Sequence, residues 1–370
     1  MNGADQGTRS RRIAGLLLGG LVGDALGLPA EGLRAARIAR MWPGELKHRF
    51  VFGRGMMSDD TEHQFLTGQA LLEAGEDVQK FRKALGRRLR WWLLAFPAGV
   101  GLATARALFK LWLGWPPARS GVYSAGNGPA MRSAVIGARF ADEPERLRAV
   151  VAASTYLTHR DPRALTGAMA VAVAAAALIL GEATASSLFP VWRELAPEDA
   201  EWQLALVMLE DHLSRHASVG EYAPALGGRR EVSGYIYRTV PVALYAWLRH
   251  CGDYAATLSE LIRCGGDSDT VAAIAGALAG AEAARAAFPS PGSRESGSGQ
   301  DLQRSWRSLR RESPMSTAGR RCAMRLRSWC RETFCSSGSC CATDSAGCCL
   351  PTVDCRWTVS GVDRISVQQK

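Results

Sequence analysis

Cysteine is scarce where it would matter most. The first 288 residues hold two, Cys251 and Cys264, of the ten in the chain. A body so poor in thiols does not rest on disulfides, which fits a reducing, cytoplasmic setting. Period-two alternation of apolar and polar residues is also missing, which argues against a sheet-based fold. No histidine follows His250 and no Cys-x-x-Cys unit occurs, so the cysteine-rich end lacks the usual pattern of a zinc knuckle. A Ser-His-Asp signature is absent too. Apolar runs fall short of the ~18–20 residues that span a bilayer. The longest, Ala168–Leu180, reads as a buried helix. "RSRR" before "IAGLLLGGLVG" has the look of a secretion signal, but Asp24 interrupts the apolar run almost at once.

What is present is helical pattern. With 47% hydrophobic residues the chain can fill a sizeable core. Apolar residues recur every three to four positions, or all round, over 13–28, 60–74, 77–95, 102–113, 130–140, 144–158, 162–180, 200–215, 240–249, 254–263 and 270–287. Gly, Pro and Asp clusters such as "FPAGVG", "SAGNGP" and "CGGDSD" separate them. The pattern predicts an all-α, compact multi-helix bundle of ten or more helices over residues 13–288, after a disordered, polar N-terminus of residues 1–12. Abundant interior Ala and Gly allow close approach of helix axes.

From residue 289 the text changes. It opens on Pro, Gly and Ser, then becomes rich in Arg, Ser, Cys and Trp, with eight cysteines and 13 Lys/Arg against 7 Asp/Glu. The chain's net charge of +10 is therefore mostly a property of this tail, and the body gives little sign of nucleic-acid binding. The tail reads as disordered, as an extension foreign to the body, or as out-of-frame translation beginning near Phe288. Translating the other two frames downstream of that codon separates the last reading from the others.

Two acidic clusters carry the chemistry. Ser58, Asp59 and Asp60 precede one helical pattern; Asp267, Ser268, Asp269 and Thr270 precede another. Helix capping explains one oxygen at each start. Each start supplies three or more, and adjacent carboxylates repel unless a cation lies between them. Magnesium and manganese favour such oxygen ligands, and two clusters suffice for a pair of ions that orient a substrate and activate water. Capping and metal binding both stand at this point, because spacing alone does not bring residues 58–60 beside 267–270.

Six segments occur in order: "GLLLGGLVGDALGLPAEG", "MMSDDT", "SAGNGPAMR", "LTHRDPRALTGAMAVA", "GYIYRTVPVALYAWL" and "CGGDSDTVAAIAGALAGA". Together they resemble the ADP-ribosylglycohydrolase family over about Ile13 to Ala281. The resemblance implies an all-α bundle with a binuclear cleft for two Mg2+ or Mn2+. It implies Ser58, Asp59, Asp60, Asp267, Asp269 and Thr270 as metal ligands, and Glu31 as an acidic residue near metals and substrate. Asp59, Asp60, Asp269 and Glu31 form the expected catalytic set. Ser124, Gly126, Asn127 and Gly128 form the expected substrate loop, its glycines free to take positive φ, and His159 lies close to the bound ADP-ribose. Asp161 is explained by capping alone, and His63 receives no role. The implied reaction is metal-dependent hydrolysis at C1 of the distal ribose. The implied partner is an ADP-ribosylated protein or small molecule, with no membrane, and nucleic acid only as an ADP-ribosylated substrate. The alternatives are a non-catalytic ADP-ribose binder or structural relative, and a hydrolase of another ribosyl compound.

Overall fold

Gly15, Gly19, Gly23 and Gly27 recur every fourth residue and leave one side of the first helix, α1 (Gly3–Gly27), bare. The last described helix, α14 (Ser268–Ala286), lies against that side in antiparallel register. A Cβ at Gly15, Gly19, Gly23 or Gly27 would fall 2.3, 2.2, 2.1 and 2.4 Å from the carbonyl oxygens of Gly280, Gly276, Ala272 and Ser268. Gly276 and Gly280 return the contact against the carbonyls of Gly19 and Gly15. The two backbones therefore touch, and any side chain on either line would force them apart. The C-terminal end of α1 meets the N-terminal end of α14 in this register, and the acidic residues collect there.

The computed structural model describes residues 3–286 apart from 51–52, 96, 98 and 228–230. The chain divides into units Met1–Ser313 and Pro314–Lys370. The expectations for residues 289–370 lie outside the described residues. Between α1 and α14 come α2 (Ala35–Met41), α3 (Asp59–Ala74), α4 (Val78–Leu93), α5 (Leu102–Trp112), α6 (Ala134–Arg139), α7 (Pro144–Thr158) and α8 (Pro162–Leu180). Then follow α9 (Ala185–Glu194), α10 (Ala200–Ser214), α11 (Val219–Ala225), α12 (Ile236–Arg249) and α13 (Tyr254–Ile262). Among the described residues the fold is helical, with isolated bridges and no ladder-forming strand.

Side-chain carboxylates and hydroxyls cap many helix starts. Asp77, Asp161, Thr184, Asp199, Ser218 and Asp253 each accept a hydrogen bond from a first-turn N–H, a contribution of about 0.5–2 kcal/mol apiece. The core packs α8 on α6, α7 and α12, with Trp192, Trp202 and Trp247 buried alongside. Each fully buried large apolar side chain contributes about 1.5–3 kcal/mol.

Four expectations need correction. The helical run begins at Gly3, so most of residues 1–12 are helical rather than disordered. Residues 130–140 are not one helix: a 3₁₀ turn, Ala130–Arg132, precedes α6, and the backbone tightens where the buried Arg132 is held. Helices α2, α9 and α11 lie outside the patterned runs, because α2 and α11 have seven residues each and α9 and α11 contain Pro190 and Pro224. Two segments, Gln6–Ala30 and Pro162–Leu180, are long and apolar enough to cross a bilayer. Their apolar windows are 61% and 72% buried inside the protein, so both pack as core helices here.

Candidate active site

Asp24 lies one turn before the end of α1, completely buried. It accepts hydrogen bonds from the backbone N–H of Ser58 (2.9 and 3.1 Å to its two oxygens), the N–H of Thr61 (3.2 Å) and the Thr61 hydroxyl (2.6 Å). A buried carboxylate on α1 thus occupies the N-terminus of α3, where free N–H groups and the helix dipole favour negative charge. The sequence reading missed it. Its signal was visible: one aspartate inside an apolar helix that has to be buried.

The starts of α3 and α14 meet beside Asp24. Thr270 Oγ1 donates to Asp60 Oδ2 at 3.1 Å, and Ser58 Oγ donates to the same oxygen at 3.0 Å. Ser58 also caps α3, accepting from Asp60 N. One oxygen from each of Asp24, Asp60 and Asp269 lies within 4.8 Å of the others. Asp267 is held from the side by Asn127 Nδ2, at 2.5 Å, and its own N–H donates to the carbonyl of Val232. Gly266 makes that last contact possible. It has φ +85°, and a Cβ there would stand 2.0 Å from the Val232 oxygen.

These carboxylates form two layers. Glu31, Asp59, Asp267, Asp269 and Thr270 line an open cleft of about 520 Å³, within the usual range for ligand pockets. Asp24, Ser58 and Asp60 stand behind them and do not line it. Gly99, at φ +86°, lies against Asp59; a Cβ there would be 2.6 Å from Asp59 Oδ1.

Burial and mutual repulsion govern the charges. Burial pushes Asp59 up to about 8, with the charges of Asp24 and Asp267 adding to it. Asp269 is pushed up to about 9 by burial, then by Asp267 and Glu31. Asp60 is raised well above the carboxylate range by burial, then by Asp269 and Asp59. Burial raises Asp267 too, with hydrogen bonds opposing the shift, and partial desolvation raises the exposed Glu31, on which the Asp267 charge also acts. Asp24 rises only to about 6, because the Thr61 and Ser58 hydrogen bonds oppose burial. Asp24 is thus the member already supplied with donors. Asp60 is the opposite case: its Oδ1 is buried without a partner. An all-oxygen donor set with an orphaned carboxylate oxygen fits a hard divalent cation.

The cleft is lined as well by Ser124, Gly126, Asn127, Gly128 and His159. Backbone hydrogen bonds from Asn127 N to Gly234 O (3.0 Å) and from Ile236 N to Ala125 O (2.9 Å) fasten this loop to the segment before α12. Gly126 and Gly128 do not take positive φ, contrary to expectation. They are needed because the His159 ring lies on them: a Cβ at Gly126 would be 3.0 Å from Nε2, and one at Gly128 3.1 Å from Cε1. Asp161 caps α8 and pairs with Arg163. His63 is a core residue, its Nδ1 3.3 Å from Arg132 Nη1 and its ring edge-on to Trp92. The structure thus brings every expected site residue to this cleft or directly behind it.

The model of the family described as ADP-ribosylglycohydrolase matches residues 5–313, running past Phe288, where the sequence pattern placed the domain's end. An uncharacterised protein of Archaeoglobus fulgidus is 30% identical over 272 residues, which cover 72% of this chain and 86% of the relative. The ADP-ribosyl-[dinitrogen reductase] glycohydrolase of Rhodospirillum rubrum is 28% identical over 279 residues, covering 73% and 85%. A solved structure titled as an ADP-ribosylglycohydrolase-related protein complex superposes with a TM-score of 0.55 at 26% identity, covering 84% of this chain and all of that one.

Proposed function

The chain belongs to the ADP-ribosylglycohydrolase family, and from that premise we propose that it releases ADP-ribose from an ADP-ribosylated protein or small molecule by attack of water at C1 of the distal ribose. One observation carries the reading. Two acidic helix starts more than 200 residues apart in the chain are joined by the Thr270–Asp60 hydrogen bond, beside a cleft also lined by Ser124, Gly126, Asn127, Gly128 and His159.

Ser58, Asp59, Asp60, Asp267, Asp269 and Thr270 would hold two Mg2+ or Mn2+ ions. When bound, such ions supply charge neutralisation, a grip on ribose hydroxyls and an acidified water. The chain's residues do the rest. Asn127 holds Asp267 in place through its amide. Asp24 fixes the backbone of the first turn of α3, from which Asp59 and Asp60 project. The carboxylates facing the cleft favour the positive charge that develops at C1 as the bond to the acceptor breaks. Glu31, exposed on the cleft wall beside Asp269, takes the proton of the attacking water. That proton is passed on to the acceptor atom as its bond to C1 breaks, so Glu31 ends the cycle as it began. Nothing in the scheme needs a covalent nucleophile. The scarcity of cysteine in the first 288 residues suits the cytoplasmic location included in this reading.

The test is a hydrolysis panel over ADP-ribosyl-arginine, ADP-ribosyl-serine and ADP-ribosylated DNA with Mg2+, Mn2+ or chelator. Ion-dependent release of ADP-ribose from at least one substrate, lost in Asp59→Ala and Asp269→Ala while helical circular dichroism persists, is the expected result. Full activity of both variants would overturn the ligand set.

A further inference from the structure

Arg132 is a guanidinium buried to 0% exposure that forms no ion pair within the described residues. All five of its N–H donors are nevertheless used. Nε donates to Ser154 Oγ (2.9 Å). Nη1 donates to the Gly128 carbonyl (3.0 Å) and to His63 Nδ1 (3.3 Å). Nη2 donates to the Ser154 carbonyl (2.9 Å) and to Thr158 Oγ1 (2.7 Å). A guanidinium only donates, so Thr158 Oγ1 accepts in that last bond.

Thr158 is itself completely buried, and its hydroxyl proton needs an acceptor. The acceptor at hand is His159 Nδ1, 2.9 Å away. A ring nitrogen that accepts carries no proton, so in the neutral imidazole the proton sits on Nε2. Nε2 is the atom that faces Gly126, on the wall of the cleft.

We propose that Arg132 and Thr158 are positioning residues that fix His159 as an Nε2–H donor, so that the histidine gives a hydrogen bond to an acceptor oxygen of the cleft's ligand and is not the base that removes a proton. The ligand half of this statement rests on the proposed function, with ADP-ribose as the oxygen-rich ligand; the tautomer half does not. Two further observations agree. Burial, reinforced by the Arg132 charge, lowers His159 to about 3, so the ring is neutral across the working pH range. The same guanidinium also holds the carbonyl of Gly128, which ties the geometry of the substrate loop to that of the histidine.

The experiment pairs a ligand-free readout with a binding readout on the full chain. Long-range ¹H–¹⁵N spectra of the histidine-labelled protein, with His159 assigned by its loss in His159→Gln, should show the Nε2–H form at pH 7. Thr158→Val should shift the His159 Nδ1 resonance and let an Nδ1–H population appear; Thr158→Ser should restore the wild-type pattern. With ADP-ribose as probe in calorimetry, Thr158→Val and His159→Phe should weaken binding about tenfold, the scale of one lost hydrogen bond to a charged or strongly polar oxygen. His159→Gln, which keeps an N–H near the Nε2 position, should lose less. Thr158→Val should raise KM more than it lowers kcat. Wild-type protein with the proton on Nδ1, or Thr158→Val with an unchanged spectrum, overturns the proposal. Wild-type protein that keeps the Nε2–H form yet fails to bind ADP-ribose supports the relay and counts against the proposed function instead.

Discussion

The seam between α1 and α14 and the cleft at its end are built from opposite materials. Along the seam, backbone meets backbone because glycine stands at 15, 19, 23 and 27 on one helix and at 276 and 280 on the other. At its end, Asp24, Asp59, Asp60, Asp267 and Asp269 crowd together with Glu31 beside them, and their carboxyls rise because burial and repulsion penalise charge. The seam is satisfied with nothing added. The cleft leaves Asp60 Oδ1 buried without a partner, the place that the proposed function gives to a cation. Protein stability and ligand demand are thus separated within one helix pair, and the strain of the cleft is held by the geometry of the seam.

Breaking the seam should have the largest effect. Gly19→Leu places a branched side chain where even a Cβ meets the Gly276 oxygen at 2.2 Å. Overpacking by methylenes costs typically ~1–3 kcal/mol when side chains give way. Here the obstacle is backbone, so the loss should consume most of the ~5–15 kcal/mol that holds a domain together. Circular dichroism and soluble yield check it, and a cooperative, near-wild-type melt would show that the two helices part easily.

A change at the cleft should act in reverse. Asp60→Asn removes a completely buried carboxylate whose Oδ1 has no partner, and should abolish turnover. In chelator it should also raise Tm by ~2–4 °C, the shift that ~1 kcal/mol gives a domain of this size. Calorimetry with and without Mg2+ reads both effects. A lower Tm in chelator would mean that the carboxylates are already satisfied.

Acidity sharpens the same contrast. Unfolded aspartate titrates near ~3.9, whereas Asp24, Asp59 and Asp269 keep protons up to about 6, 8 and 9. In that window the native state binds more protons than the unfolded chain, so stability falls as pH rises. This loss begins above the unfolded value and is complete above the folded ones. Thermal melts in chelator at pH 5, 7 and 9 should descend in that order, and saturating Mg2+ should flatten the series. A flat series in chelator would contradict the burial of the cluster.

The smallest effect belongs to a cap remote from both regions. Asp77→Ala should cost about 0.5–2 kcal/mol through the N–H groups of Gln79 and Lys80, with turnover unchanged. A denaturant titration beside an activity assay measures it, and lost turnover would mean that α4 is coupled to the cleft.

Much of this was legible in the sequence because the relevant signals are local. Helices α7 and α8 begin at Pro144 and Pro162 and end where their apolar patterns end. The oxygen-rich starts at residues 58–60 and 267–270 were visible as more than capping requires. What was not legible depends on partners distant in the chain. Asp24 looked like an interruption in an apolar run until the free N–H groups of α3 appeared beside it. Arg132 gave no sign of being buried, since its five acceptors come from three separate segments. Gly126 and Gly128 were read for backbone freedom, but the ring of His159 decides them. Proline concealed α9 and α11, where tertiary packing overrides weak helical preference.

The antiparallel pairing of the first and last described helices also fixes when the molecule can become itself. Asp24 and Asp60 emerge from the ribosome early and wait for Asp269 and Thr270, so the whole intervening chain is made before the acidic pocket can close. Contacts of such sequence separation are slow to form, and until α14 arrives the bare face of α1 has no partner. A nascent chain paused before residue 268 should therefore be helical, sticky and inert, with chaperone demand concentrated in the last stretch of synthesis.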